Sequence, residues 1–177
     1  MALMSRGALR SLKIATLGLL MALVCACSIS YKFNGGSLDY TRIKSISISE
    51  VYNRAPIIYP PLAANFTEQL KDFYTSRTRL EQVARAGDLE LECTITGYDL
   101  TPMAVSDDNY ASRTVFTVTM QVKYNNNVDE KESFDRSFKA HRDFDRNQTF
   151  VSVQDQLLEE IIEDLIKQIY NATVENW

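Results

Sequence analysis

Leu89, Leu91, Cys93 and Ile95 alternate with Glu90, Glu92, Thr94 and Thr96. Such a two-residue period suits an extended strand with one dry and one solvated face, and it rules out a helix over the same residues. The pattern recurs from Thr114 to Tyr124, with Phe116, Val118, Met120, Val122 and Tyr124 on the apolar side. Asn125, Asn126 and Asn127 then supply a turn, and Glu132 to Ala140 returns with Phe134 and Phe138 inward. Pairing Tyr124 with Phe134 keeps both apolar faces on one side and sets Lys123 opposite Asp135 on the wet face. The same parity turns Arg136 inward, opposite Val122. That residue therefore requires either an edge strand, where an inward charge discourages aggregation, or a bulge that rotates it out.

A sheet with one apolar face needs a cover, and two amphipathic segments provide it. Leu62, Phe66, Leu70 and Phe73 form one stripe of a helix from about Pro61 to Ser76. Leu157, Leu158, Ile161, Ile162, Leu165, Ile166 and Ile169 form a wider stripe after a capping-box-like start at Ser152 and Asp155. An earlier strand is expected from Ile43 to Val51, with Ile46 and Ile48 on one face, and a proline-rich stretch over 53–61 separates it from the first helix. Ala86, Gly87 and Asp88 read as a turn ahead of the alternating strand. The expected fold is a two-layer α+β domain in the order β-α-β-β-β-α, a four-stranded, largely antiparallel or mixed sheet with both helices on one face.

Upstream of this body the chain has a different character. Arg6, Arg10 and Lys13 precede an apolar run from Ile14 to Val24 that closes on Cys25, Ala26 and Cys27. This run is shorter than the roughly 18 apolar residues of a membrane span, and a small residue followed by cysteine resembles the lipobox of a bacterial lipoprotein signal. The reading is a signal peptide over 1–26, with Cys27 becoming the acylated N-terminus, a polar tether over 27–41 and a single domain over 42–177. Cys25 is a poor alternative because Val24 is too large to precede the cut. A cleaved secretory signal with incidental cysteines is the plainer reading of the same residues. Several long acyl chains hold a protein to a membrane effectively permanently, so the body requires no membrane segment.

Charge and chemistry narrow the function. The formal net charge is −4, and removal of a peptide with three cations and no acid makes the mature body more acidic. That balance argues against nucleic-acid binding, which draws its affinity from Lys and Arg on phosphates. The single histidine, His141, has no company that would make a metal site and reads as a surface residue. Asp107, Asp108 and Asn109 read as a solvated loop without the spacing of a calcium loop. Cys93 shares its face with Leu89, Leu91 and Ile95, so it reads as a small core residue and not as a nucleophile. The sequons at Asn65, Asn147 and Asn171 matter only in a eukaryotic secretory context. With no phosphate loop, nucleophile elbow or cofactor motif, a structural or binding protein is expected, with no enzyme activity, cofactor or metal.

Four segments, GGSLDYTRIKSISI, NRAPIIYPPLAANFTEQLKDFYTSRTRL, GDLELECTITGYDLTPMAV and DQLLEEIIEDLIKQIYNATVENW, together resemble the LptE family of outer-membrane lipopolysaccharide-assembly lipoproteins. The likeness runs from Tyr31 to Trp177 and rests on the order and spacing of these segments. It implies a non-enzymatic protein seated in the lumen of an LptD-type outer-membrane β-barrel, lipid-anchored on the periplasmic face and assisting lipopolysaccharide delivery. Direct contact with a phosphate-bearing lipid would need local cations, and the densest group is Arg136, Lys139 and Arg142, with Arg113 on another strand. The alternative for these cations is that they solubilise a sheet edge. The alternative for the whole chain is a periplasmic auxiliary lipoprotein of another envelope lipid-transport or secretion complex.

Overall fold

A computed structural model describes residues 38–103 and 113–175. The signal segment, Cys27, most of the tether, the Asp107–Asn109 loop and Trp177 lie outside the described residues. The elements in chain order are β1 (Ser45–Ile48), β2 (Tyr52–Asn53), α1 (Pro60–Arg77), β3 (Glu81–Gln82), β4 (Leu89–Pro102), β5 (Arg113–Asn126), β6 (Phe134–Asp145) and α2 (Phe150–Tyr170). A 3-10 turn at Glu130–Glu132 precedes β6, and a π-helical turn at Asn171–Glu175 follows α2. The class is the expected α+β arrangement, with six strands in place of four.

One of the two extra strands, β2, has a local cause. The expected strand over Ile43 to Val51 breaks in the middle because the Val51 N–H donates to Thr67 Oγ1 at 3.0 Å and leaves the ladder. The chain resumes pairing as β2, so β1 meets β4 through Ile46 and Leu89 while β2 meets it through Tyr52 and Thr94, one residue out of step. Both run parallel to β4, as β3 does to β1, so this half of the sheet is parallel. Packing begins at Leu38, which is buried together with Ile43.

The turn before β4 is built from all three residues that mark it in the sequence. Ala86 sits at φ 56°, in the left-handed region. A side chain at Gly87 would place a Cβ 2.7 Å from Leu89 O and 2.7 Å from Ser47 N, so only glycine allows β1 and β4 to close there. Asp88 Oδ2 accepts the Lys44 N–H at 2.8 Å and the Ser45 N–H at 3.0 Å, and the Ser45 hydroxyl accepts the Asp88 N–H in return. These bonds, the Lys44 N–H foremost, hold the Asp88 carboxyl below its ordinary pKa.

β4, β5 and β6 form an antiparallel meander, and the overall order is β3-β1-β4-β5-β6 with β2 also on β4. The expected register holds: Tyr124 faces Phe134, Lys123 faces Asp135 and Val122 faces Arg136. β6 is an edge strand, which resolves the position of Arg136 in favour of an edge. One irregularity was not foreseen. The β4–β5 register shifts between Ile95 and Gly97, so the inward alternation restarts at Tyr98, which is buried against Phe116.

Both helices cover the apolar face. The α1 stripe is Leu62, Phe66, Leu70 and Tyr74, all essentially inaccessible, whereas Phe73 is half-buried. Continuing the spacing of four selects Tyr74, and Phe73 sits beside the core with its ring 5.2 Å from that of Tyr170. On α2 all seven expected apolar residues are buried. Its start differs from the capping-box reading: the helix begins at Phe150, and Ser152 Oγ donates to Thr149 O instead of capping an N–H. Phe150 is drawn in by packing, its ring lying 5.0 Å from Phe116 and 5.8 Å from Phe144.

Candidate functional site

The groups that could do chemistry are withdrawn from solvent or isolated. Cys93 is 2% exposed, and desolvation pushes its thiol up to about 12, so it has no thiolate character at neutral pH. His141 lies exposed on the outer face of β6, opposite Thr117. Among the described residues there is no group of three or more His, Cys, Asp or Glu that could hold a metal ion.

The sequence reading missed a buried polar network at the core's base. The Tyr74 hydroxyl lies 2.5 Å from Thr173 Oγ1, which donates to Ile169 O at 2.9 Å, and the Tyr124 hydroxyl donates to Thr173 O at 3.3 Å. Three hydroxyls thus tie α1, β5 and the π turn together. Burial raises the Tyr74 and Tyr124 phenols well above their usual range, so all three groups stay neutral. The signal was present in the sequence as two tyrosines and a threonine, but nothing local says that they converge.

The four cations singled out in the sequence are placed on two faces and in different states. Arg136 and Arg142 share the helix side of β6, and Lys139 points to the opposite side. Arg142 is consumed: its Nε donates to Glu160 Oε2 at 2.7 Å and its terminal nitrogen to Asp164 Oδ2 at 2.6 Å, clamping the edge strand to α2. Arg113 pairs with Asp143. Arg136 remains at the surface, its guanidinium 4.0 Å above the Phe134 ring centroid and 5.9 Å from that of Phe138. The edge itself is partly stoppered, because Gln168 Nε2 donates to Lys139 O and Arg142 donates to His141 O.

Among the described residues, three surfaces stand beside a groove of about 560 Å³ that runs along α1 past Val51, Ala63 and Thr67. The first is the outer face of the meander, carrying Glu92, Lys123 and Asp135 in one row and Thr94, Gln121 and Ser137 in the next. It is polar apart from Val115 and has neither helix over it. The second is an apolar tip. Leu100 and Met103 are exposed at the end of β4, and the exposed Ile58 and Val151 adjoin Tyr59 and Phe150 in the sequence. Tyr59 stacks on Tyr98 and Phe150 packs edge-on to it, which brings the α1 and α2 starts to that same end. The described chain begins at the other end, where Arg42 donates to Val128 O. β4 alone spans 14 residues, roughly 45 Å at ~3.3 Å per residue, between these ends. The third is a groove of about 230 Å³ between α1 and α2, floored by Leu62, Leu158 and Ile162 and rimmed by Asn65, Gln69, Asp155 and Glu159. Among the described residues no helix is long and apolar enough to cross a membrane.

The family model described as lipopolysaccharide-assembly, LptE, matches residues 43–173. No curated protein matches the sequence. Among solved structures, the uncharacterized lipoprotein B from Nitrosomonas europaea superposes with a TM-score of 0.50 at 11% identity, covering 72% of this chain and 79% of that one. A minor lipoprotein from Acinetobacter baumannii gives 0.45 at 16% identity, over 72% of this chain and 89% of that one. The rare lipoprotein B from Shewanella oneidensis gives 0.46 at 9% identity, over 71% and 89%. The Nitrosomonas likeness is one of fold.

Proposed function

The chain belongs to the LptE lipopolysaccharide-assembly family, and from that premise we propose that it is an outer-membrane lipoprotein, acylated at Cys27, that serves as assembly partner and lumenal plug of an LptD-type β-barrel. The observation that carries this reading is the family match over 43–173, nearly the whole described body. Its role is to hold the barrel in a transport-competent form while lipopolysaccharide passes to the outer leaflet, and no catalytic step is assigned to it. The polar outer face of the meander supports the plug reading, because a water-filled lumen matches hydroxyl, amide and charged groups. The acyl chains at Cys27 hold the domain beside its barrel.

For direct lipid contact, Arg136, Lys139 and Arg142 are assigned unequal parts. Arg136 presents an exposed guanidinium backed by two aromatic rings and is the residue for a phosphate group. Lys139 serves an approach from the outer face, and Arg142 acts by holding the edge strand in place. Replacement of Arg136 by alanine is expected to weaken lipopolysaccharide binding several-fold while leaving thermal stability unchanged. Equal binding by the variant removes Arg136 from the contact.

The decisive experiment is to tag the C-terminus, purify the protein from detergent-solubilised outer membranes at high salt, and identify what remains by mass spectrometry. A stoichiometric large β-barrel of the LptD type is the expected result. Recovery with an inner-membrane transporter or a secretion channel would instead make the chain an auxiliary lipoprotein of that complex.

A further inference from the structure

Five carboxylates line the solvent side of α2, and they are not used alike. Glu160 and Asp164 are both taken by Arg142, and Glu163 by Lys167 at 2.6 Å. Asp155 and Glu159 have no cation within ion-pair distance among the described residues, and both line the groove between α1 and α2. Spaced four apart on one helix, two like charges repel, and an incoming cation would turn that repulsion into attraction. The Tyr59 hydroxyl donates to Asp155 Oδ1 at 2.7 Å and fixes that carboxylate at the rim. The floor beneath is apolar and already buried: Leu62 is 1% exposed, Ile162 3% and Leu158 4%.

We propose that the groove is a socket for one Lys or Arg side chain of a partner protein, with the aliphatic stem lying on Leu62, Leu158 and Ile162 and the charged head between Asp155 and Glu159. A long basic side chain is the one protein group that matches an apolar floor and an anionic rim at the same time, since its methylenes bury while its head keeps to the polar margin. A metal ion fits less well, because two monodentate carboxylates on one helix face lack the further ligands such a site needs. The socket lies on the helix layer, so it leaves the polar outer face of the sheet free for a second contact. The inference rests on the assembly-partner reading above only in requiring a protein partner.

The test is site-specific photo-cross-linking in the native envelope, with the full-length chain carrying a photoreactive residue at Gln69 on the groove's rim. The expected result is an adduct whose partner peptide contains a Lys or Arg next to the cross-linked position. Its yield should fall about tenfold in the double variant Asp155→Asn, Glu159→Gln, as two partly desolvated charge contacts would give. The melting temperature of that variant should be unchanged, and the control Glu163→Gln should leave the yield intact. Absence of an adduct, an adduct within the chain itself, a partner peptide without a basic residue, or a yield insensitive to the double variant overturns the socket. An adduct with a non-barrel protein that meets the charge criteria keeps the socket and overturns the plug, whereas a barrel recovered with a charge-insensitive adduct overturns the socket alone.

Discussion

Arg136 and Arg142 stand on the same side of the same strand, and their surroundings give them different roles. Arg142 bridges to two acids on α2, and the pairs are partly exposed, so its loss should cost only about 1 kcal/mol, the upper range for such contacts. Arg136→Ala should change stability by less than about 0.5 kcal/mol, as for other surface positions. Urea denaturation of the two variants side by side checks the contrast. Cys93 behaves as a hydrophobic residue: alkylation by iodoacetamide at pH 8 should be blocked in the native protein and proceed after unfolding, because burial holds the thiol protonated. Ala86 pays for its left-handed backbone, so Ala86→Gly should stabilise the fold by roughly 0.5–1 kcal/mol. The chemistry of these residues is written in the sequence, but their partners are not. Arg142 sees Glu160 and Asp164 across 18 and 22 residues, a separation no local pattern encodes.

At the scale of elements, the turn joining β1 to β4 and the network around Thr173 carry the connections that periodicity does not. Asp88 accepts main-chain N–H groups only in the folded state, which depresses its pKa. A depressed carboxylate contributes stability above its unfolded value of about 3.9 and loses it as pH falls through the lower folded value. Acid denaturation curves should therefore show a component below about pH 4 that disappears in Asp88→Asn. Thr173→Ala would strip the Tyr74 hydroxyl of its partner in a fully buried place, at a cost of about 1–3 kcal/mol. Adding Tyr74→Phe should return part of that loss, and the double-variant cycle measures the coupling. The four longer strands, the two helices and the β5–β6 register were legible because periods of two and of about 3.6 follow from which face is dry, whereas the two-residue β3 carries no such period. The split of the first strand, the register shift before Gly97 and the true start of α2 were not. Each arises where a side chain from another element, Thr67, Thr119 or Phe116, competes with the local pattern.

For the whole molecule, an acidic α+β body with a polar sheet face on one side and an acidic helix layer on the other is suited to being surrounded, and the LptE family match supplies the setting. Acylation at Cys27 is tested by labelled palmitate, which should enter the wild-type chain and be absent from Cys27→Ser. Absence of label from the wild-type chain would return the upstream segment to an ordinary secretory signal, and label in both would move the acylation to another residue. The sequence by itself determined the class of fold, the strand order of the meander and its β5–β6 register, because burial on one face imposes a periodicity that a chain cannot hide, while the family resemblance rested on the order and spacing of four segments. Only the tertiary structure decided which cations remain exposed, which tyrosines meet and which carboxylates are left without a cation. Those outcomes depend on contacts between residues far apart in the chain, and the free energy of each is set by what else arrives at the same place.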